Sequence, residues 1–89
     1  MARVLRPRSF SSGWDRAPAF VRRALLRVLT EMASMQTPGP VGFDAPITIF
    51  VPTPVTLHEH VLPNTGWSLL YYWDDDALTL RFLCETPPR

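Results

Sequence analysis

The stretch from Gly66 to Glu85, GWSLLYYWDDDALTLRFLCE, constrains the fold more than any other part of the chain. Two apolar runs, Trp67 to Trp73 and Ala77 to Leu83, flank Asp74, Asp75 and Asp76. Three adjacent carboxylates repel one another and belong in water, while aromatic and aliphatic flanks gain by pairing and burying a face. The stretch therefore reads as a β-hairpin. Strict alternation puts Leu78, Leu80, Phe82 and Cys84 on one face of its second strand and Thr79, Arg81, Leu83 and Glu85 on the other. Trp67, Tyr71 and Trp73 share a face of the first strand, where they serve as half of a small core or as an aromatic interaction patch.

The N-terminal third has a different period. From Trp14, apolar residues recur at Ala17, Val21, Leu25, Val28, Met32 and Met35, while Arg16, Arg23, Arg27, Thr30 and Ser34 gather on the opposite side at the helical repeat. Pro18 removes a backbone donor and disfavours helix at Ala17, so two helices are expected, near Ser9 to Ala17 and from about Pro18 to Gln36. Thr37, Pro38, Gly39 and Pro40 then stop the second. Strands are expected at Ala2 to Leu5, at Ile47 to Val51 between two prolines, and at Val55 to Leu62, which turns through Pro63, Asn64, Thr65 and Gly66 into the hairpin. Pro52 and Pro54 put Thr53 in an extended kink or on an edge. The order predicts one α+β domain over 1–89: an N-terminal strand and helical hairpin packed on one face of a mainly antiparallel three- to four-stranded sheet.

Eighty-nine residues leave little area for a deep pocket, so no enclosed cofactor is expected. Lysine is absent and arginine numbers nine. The net charge of +1 conceals a split, because residues 1–30 hold seven Arg against Asp15 whereas residues 31–89 hold two Arg against seven acids. A basic half beside an acidic half suits a polyanion, an acidic protein partner or self-association, as well as a plain solvated helix face. Arg16, Arg23 and Arg27, with Trp67 and Trp73, are the candidate residues for binding nucleic acid or a partner. The aromatic surplus predicts exposed aromatics beside arginines, and hence self-association of the chain alone.

One cysteine, Cys84, forms no intrachain disulfide and reads as a small core residue, and no apolar run reaches bilayer length, so a cytoplasmic protein without membrane contact is expected. The segment MARVLRPRSFSSGW also has the Arg-rich, acid-free character of a mitochondrial presequence. His58 and His60 lie on one strand face at a spacing that metal sites use, but without a clear third ligand no metal is expected. Asp74 to Asp76 lack the glycine and distal glutamate of a calcium loop.

Two segments carry a family resemblance. Phe10 to Gln36 has an aromatic start, a proline break and a long amphipathic helix leading to Pro38. Gly66, Trp67, Ser68, Leu69, Leu70, Tyr71, Tyr72, Trp73 and Asp74 to Asp76 follow a pattern of glycine, aromatic, arginine, two aliphatics, tyrosine and acidic turn. In both the chain resembles the RelE/ParE superfamily of type II toxins, small bacterial proteins with a strand, a helical hairpin and a curved antiparallel sheet. The likeness covers about half the chain, and the stretch Thr37 to Pro63 has no counterpart in it. It implies a toxin-like protein acting on RNA or the translation machinery and held by a cognate antitoxin. The alternative is a noncatalytic protein–protein interaction domain or small subunit of a larger assembly. Superfamily members that cleave messenger RNA on the ribosome use Arg, Lys, His or Tyr on the concave sheet face. Here Ser68 stands at the arginine position, and Glu85 and Thr86 replace the closing His and Arg. If the chain is an endoribonuclease, its catalytic set is then Arg81, Tyr71 or Tyr72, His58 and His60, provided that these face the same side.

Overall fold

The computed structural model describes residues 3–34, 45–50, 54–74 and 77–86. Its elements run β1 (Arg3–Leu5), α1 (Arg8–Arg16), α2 (Ala19–Ala33), β2 (Ala45–Phe50), β3 (Pro54–Leu62), β4 (Trp67–Asp74) and β5 (Ala77–Glu85). The α+β architecture is as the sequence implies. The four antiparallel strands and the N-terminal strand form one sheet in the order β1-β5-β4-β3-β2. The expected N-terminal strand β1 joins its edge, pairing parallel to β5 through Val4 and Leu78, whereas every other pairing is antiparallel.

Proline starts both helices. Pro7 and Pro18 are extended N-caps, and their carbonyls accept the first turns through Phe10 and Ser11, and through Val21 and Arg22. Ala17, forced out of helix by the proline after it, ends α1 in extended backbone. Carbonyls at that end are met by α2: Arg22 Nε donates at 2.9 Å to the Trp14 carbonyl, which also accepts from the Ala17 amide, and its Nη2 to that of Asp15 at 3.1 Å, with the guanidinium 5.2 Å from the Trp14 ring centre. A planar fork suits two neighbouring acceptors, so Arg22 ties the two helices into one unit. The far end of α2, at Met35 and Gln36, lies outside the described residues, as do Ala2, Val51 to Thr53, Asp75 and Asp76.

The apolar helix stripe meets the sheet as its period requires. Val21, Leu25 and Met32 are wholly buried, and Val28 and Leu29 nearly so, against Leu62, Leu69, Tyr71, Leu78, Leu80 and Leu83. Each such aliphatic side chain contributes about 1.5 to 3 kcal/mol of transfer free energy. Arg16, Arg23 and Arg27 stay exposed. Trp14, Trp67 and Trp73 pack half-buried on the rim of this core. Among the residues whose side chains are described, the large apolar ones left exposed are Leu5, Phe20, Leu26 and Val61, three aliphatic and one aromatic.

Between β3 and β4 the turn runs through two left-handed residues, Asn64 at φ 63° and Gly66 at φ 72°. The Thr65 hydroxyl donates to the Leu62 carbonyl at 2.8 Å and accepts from the Trp67 amide at 3.0 Å. No helix among the described residues is long and apolar enough to cross a membrane.

Candidate functional site

The β4–β5 hairpin forms as expected, with one departure that rearranges its faces. Leu70 pairs with Phe82 while Tyr71 pairs with Leu80, so Arg81 is an extra residue in β5. A bulge of this kind leaves one residue unpaired and bends the strand. It also shifts the alternation. Leu78 and Leu80 face the helices before it and Leu83 faces them after it, at 1% exposure, whereas Phe82 and Cys84 turn to the far face, half-buried. The expected grouping of Leu78, Leu80, Phe82 and Cys84 is thus corrected, as is the reading of Cys84 as a core residue.

Helix α1 seats on the bulge. Ser9 Oγ donates to the Arg81 carbonyl at 2.7 Å, supplying a partner at the position where the ladder is interrupted. One turn on, Gly13 lies against β5 so closely that a Cβ there would overlap the Leu83 carbonyl, with the carbonyl carbon 2.9 Å away. Only glycine permits this approach of helix to strand.

The register divides the candidate catalytic residues between the two faces of the sheet. His58 pairs with Tyr71 and His60 with Leu69, which places both histidines and Tyr71 on the helix side. Tyr71 is wholly buried, its ring 5.9 Å from that of His58, and His58 Nδ1 is buried without a hydrogen-bond partner. Arg81, unpaired at the bulge, holds its guanidinium carbon 5.5 Å from the ring centre of Phe82, a residue of the far face. Arg81 Nε is likewise buried and without a partner. The fold brings His58, His60 and Tyr71 together and sets Arg81 apart from them.

The far face supplies other company for Arg81. Tyr72 pairs with Thr79 and Leu70 with Phe82, so Arg81 stands between the Tyr72 and Leu70 positions, with Glu59 on the next strand opposite Leu70. Glu59 is 4% exposed. Of the adjacent tyrosines, alternation always sends one to each face, and the bulge decides that Tyr72 is the one beside Arg81. Glu59 escaped the sequence reading, although its place between His58 and His60 already put it on the face opposite theirs. Ser68, at the position where the resemblance has arginine, is also on this face; it is wholly buried, its Oγ 2.7 Å from Thr86 Oγ1.

The partner-binding candidates fall in three places. Arg16 and Trp67 share a cleft with Cys84 and Glu85 at the end of the hairpin. Burial raises the Cys84 thiol pKa above its ordinary value, and the charge of Arg16 opposes that rise. Arg23 and Arg27 lie on the outer side of α2, and Trp73 sits on the core rim with its indole Nε1 buried and unpartnered. Among the described residues no three of His, Cys, Asp and Glu converge as metal ligands.

Neither a family model nor a curated protein matches the chain. Among solved structures, a copper-bound mutant toxin from Helicobacter pylori matches at a TM-score of 0.65 with 19% identity, over 96% of this chain and 94% of that one. At that identity the likeness is one of fold, and the fold is toxin-like over nearly the whole chain.

Proposed function

We propose that the chain is a toxin-like protein of a type II toxin–antitoxin system, of the RelE/ParE kind, that acts on RNA or the translation machinery and is held by a cognate antitoxin. The observation that carries this reading is the match of fold to a toxin across 96% of the chain. Arg81 gives the reading its chemistry. An arginine held at a bulge, with an unpartnered Nε and an aromatic ring alongside, suits a phosphate with a base stacked next to it. Tyr72 adds a second ring on the neighbouring strand, and Glu59 a carboxylate two strands away. Any proton transfer at this face would fall to those two residues rather than to His58, His60 and Tyr71.

Induced without a partner in a bacterial host, the chain should arrest growth, and Arg81→Ala should relieve the arrest in a protein that still folds. The same variant should weaken binding of single-stranded RNA and lower the salt slope by about one phosphate contact. Absence of arrest, or arrest and RNA binding undiminished by Arg81→Ala, would overturn the RNA reading. A second reading, a noncatalytic interaction domain, is favoured by the separation of Arg81 from the histidines on opposite faces. It requires that RNA remain uncleaved at every protein concentration while a protein partner still binds.

A further inference from the structure

Ser9 sits in the first turn of α1, where a serine hydroxyl ordinarily turns back onto its own helix. Ser12 follows that habit and donates to the Arg8 carbonyl one turn earlier. Ser9 does not. Pro7 is the N-cap of α1 and makes no side-chain cap bond, and the Ser9 hydroxyl crosses to β5, where it donates at 2.7 Å to the Arg81 carbonyl, 72 positions along the chain.

The acceptor belongs to the extra residue of the bulge. Leu70 pairs with Phe82 and Tyr71 with Leu80, so Arg81 has no residue opposite it on β4. A carbonyl at such a place needs a partner from outside the ladder, and Ser9 supplies it. Four residues further along α1, Gly13 comes so close to β5 that a Cβ there would overlap the Leu83 carbonyl. Four helical residues advance about 6 Å and two strand residues about 6.6 Å, so Ser9 on Arg81 and Gly13 on Leu83 keep step along one line of contact. Moving the bulge by a single residue would set both anchors against the wrong atoms. The seat of α1 thus selects which residue of β5 is the extra one.

That selection governs the surroundings of the Arg81 side chain. Its Nε is buried without a hydrogen-bond partner, and its guanidinium carbon lies 5.5 Å from the Phe82 ring centre. A buried donor left open costs free energy that an arriving oxyanion recovers, and a guanidinium held in place beforehand gives up less freedom when the anion binds. We infer that Ser9 is a positioning residue for Arg81: through the Arg81 carbonyl it fixes the bulge, and through the bulge it fixes where the guanidinium meets a phosphate of RNA. This rests on the reading of Arg81 as the phosphate contact, and it gives α1 a share in RNA binding without touching RNA.

The test uses the full chain, isotope-labelled at nitrogen, with poly-uridine as the RNA probe. The Arg81 Nε–H resonance is identified by its loss in Arg81→Ala. Ser9→Ala should shift or broaden that resonance before any RNA is added. It should also weaken poly-uridine binding about tenfold, as for a lost hydrogen bond to a charged group, and lower the salt slope by about one phosphate contact. Ser9→Thr, which keeps the hydroxyl, should restore all three, and Ser12→Ala, an exposed change in the same helix, should alter none. The double variant separates positioning from mere stabilisation. A residue that acts only through Arg81 has nothing left to position once Arg81 is gone, so Ser9→Ala added to Arg81→Ala should weaken binding no further. Losses that add, an Nε–H resonance indifferent to Ser9→Ala, or a Ser9→Thr protein as impaired as Ser9→Ala would overturn the inference. If the parent chain binds no poly-uridine, the RNA reading falls by itself, while the Nε–H resonance still decides whether Ser9 places Arg81.

Discussion

Replacing Gly13 by alanine sets two effects of opposite sign against each other. Within a helix, alanine in place of glycine stabilises by about 1 kcal/mol, because glycine loses more backbone freedom on folding. In this fold the added Cβ would overlap the Leu83 carbonyl and lie 2.9 Å from its carbon and 3.2 Å from its Cβ. These are mostly backbone atoms of a strand held in register by β4 through Leu69, so no side-chain rotation relieves the contact. Helix α1 must lift from β5, which strains the Ser9 bond to the Arg81 carbonyl and loosens Phe10, buried to 3%. Overpacking of this kind costs about 1 to 3 kcal/mol, and a rigid backbone obstacle places it at or above the upper end. With the propensity gain subtracted, a net loss of about 2 kcal/mol is expected. For a domain of this size that corresponds to a fall in Tm of about 10 °C. Urea and thermal melts of Gly13→Ala measure it, with Ser12→Ala as control. Ser12 is the exposed neighbour in the same helix, and its replacement should change stability by only a few tenths of a kcal/mol in about the direction of propensity. A Gly13→Ala protein as stable as the parent, or more so, would refute the seating of α1 on β5 and with it the account of the bulge.

Other outcomes follow from the same contacts. Leu25→Ala should cost about 2 to 5 kcal/mol in a denaturant melt, since the side chain is wholly buried between α2 and the sheet; a loss below about half a kcal/mol would mean that α2 is not docked. Arg22→Met should cost about 1 to 2 kcal/mol by releasing the Trp14 and Asp15 carbonyls, whereas the same change at exposed Arg23 should be nearly neutral. Equal effects at the two positions would dismiss Arg22 as the tie between the helices. Alkylation of Cys84 by iodoacetamide should reach its half-maximal rate at a pH above that of a free thiol, because burial disfavours the thiolate. Arg16→Ala should push that midpoint higher still by removing the opposing positive charge. A midpoint lowered by Arg16→Ala would show that the sign is wrong.

What could be read from the residues alone is what local rules govern. The helical repeat from Ala17 to Met32 named the buried stripe, and Pro18 marked the break between the helices. The acidic turn with its apolar flanks announced the hairpin. Prolines and the Asn64 to Gly66 cluster bounded the strands well enough to give the α+β architecture. Each of these signals depends on neighbours within a few positions along the chain. The side on which Arg81 points does not. It depends on a bulge whose extra residue is accommodated where Ser9 and Gly13, some seventy residues away, bring α1 down onto β5. Nothing in TLRFLCE distinguishes a regular strand from a bulged one, so period-two counting sent Leu83 outward and Phe82 inward, opposite to their places. The parallel pairing of β1 with β5 is decided in the same way, by contact between the ends of the chain. Sequence therefore determined which elements exist and which helix face is buried, while tertiary packing decided the register of β5. Through that register it decided that Arg81 is the unpaired residue of the bulge, beside Phe82, rather than the partner of Tyr71, because one residue's slip in a strand exchanges its two faces.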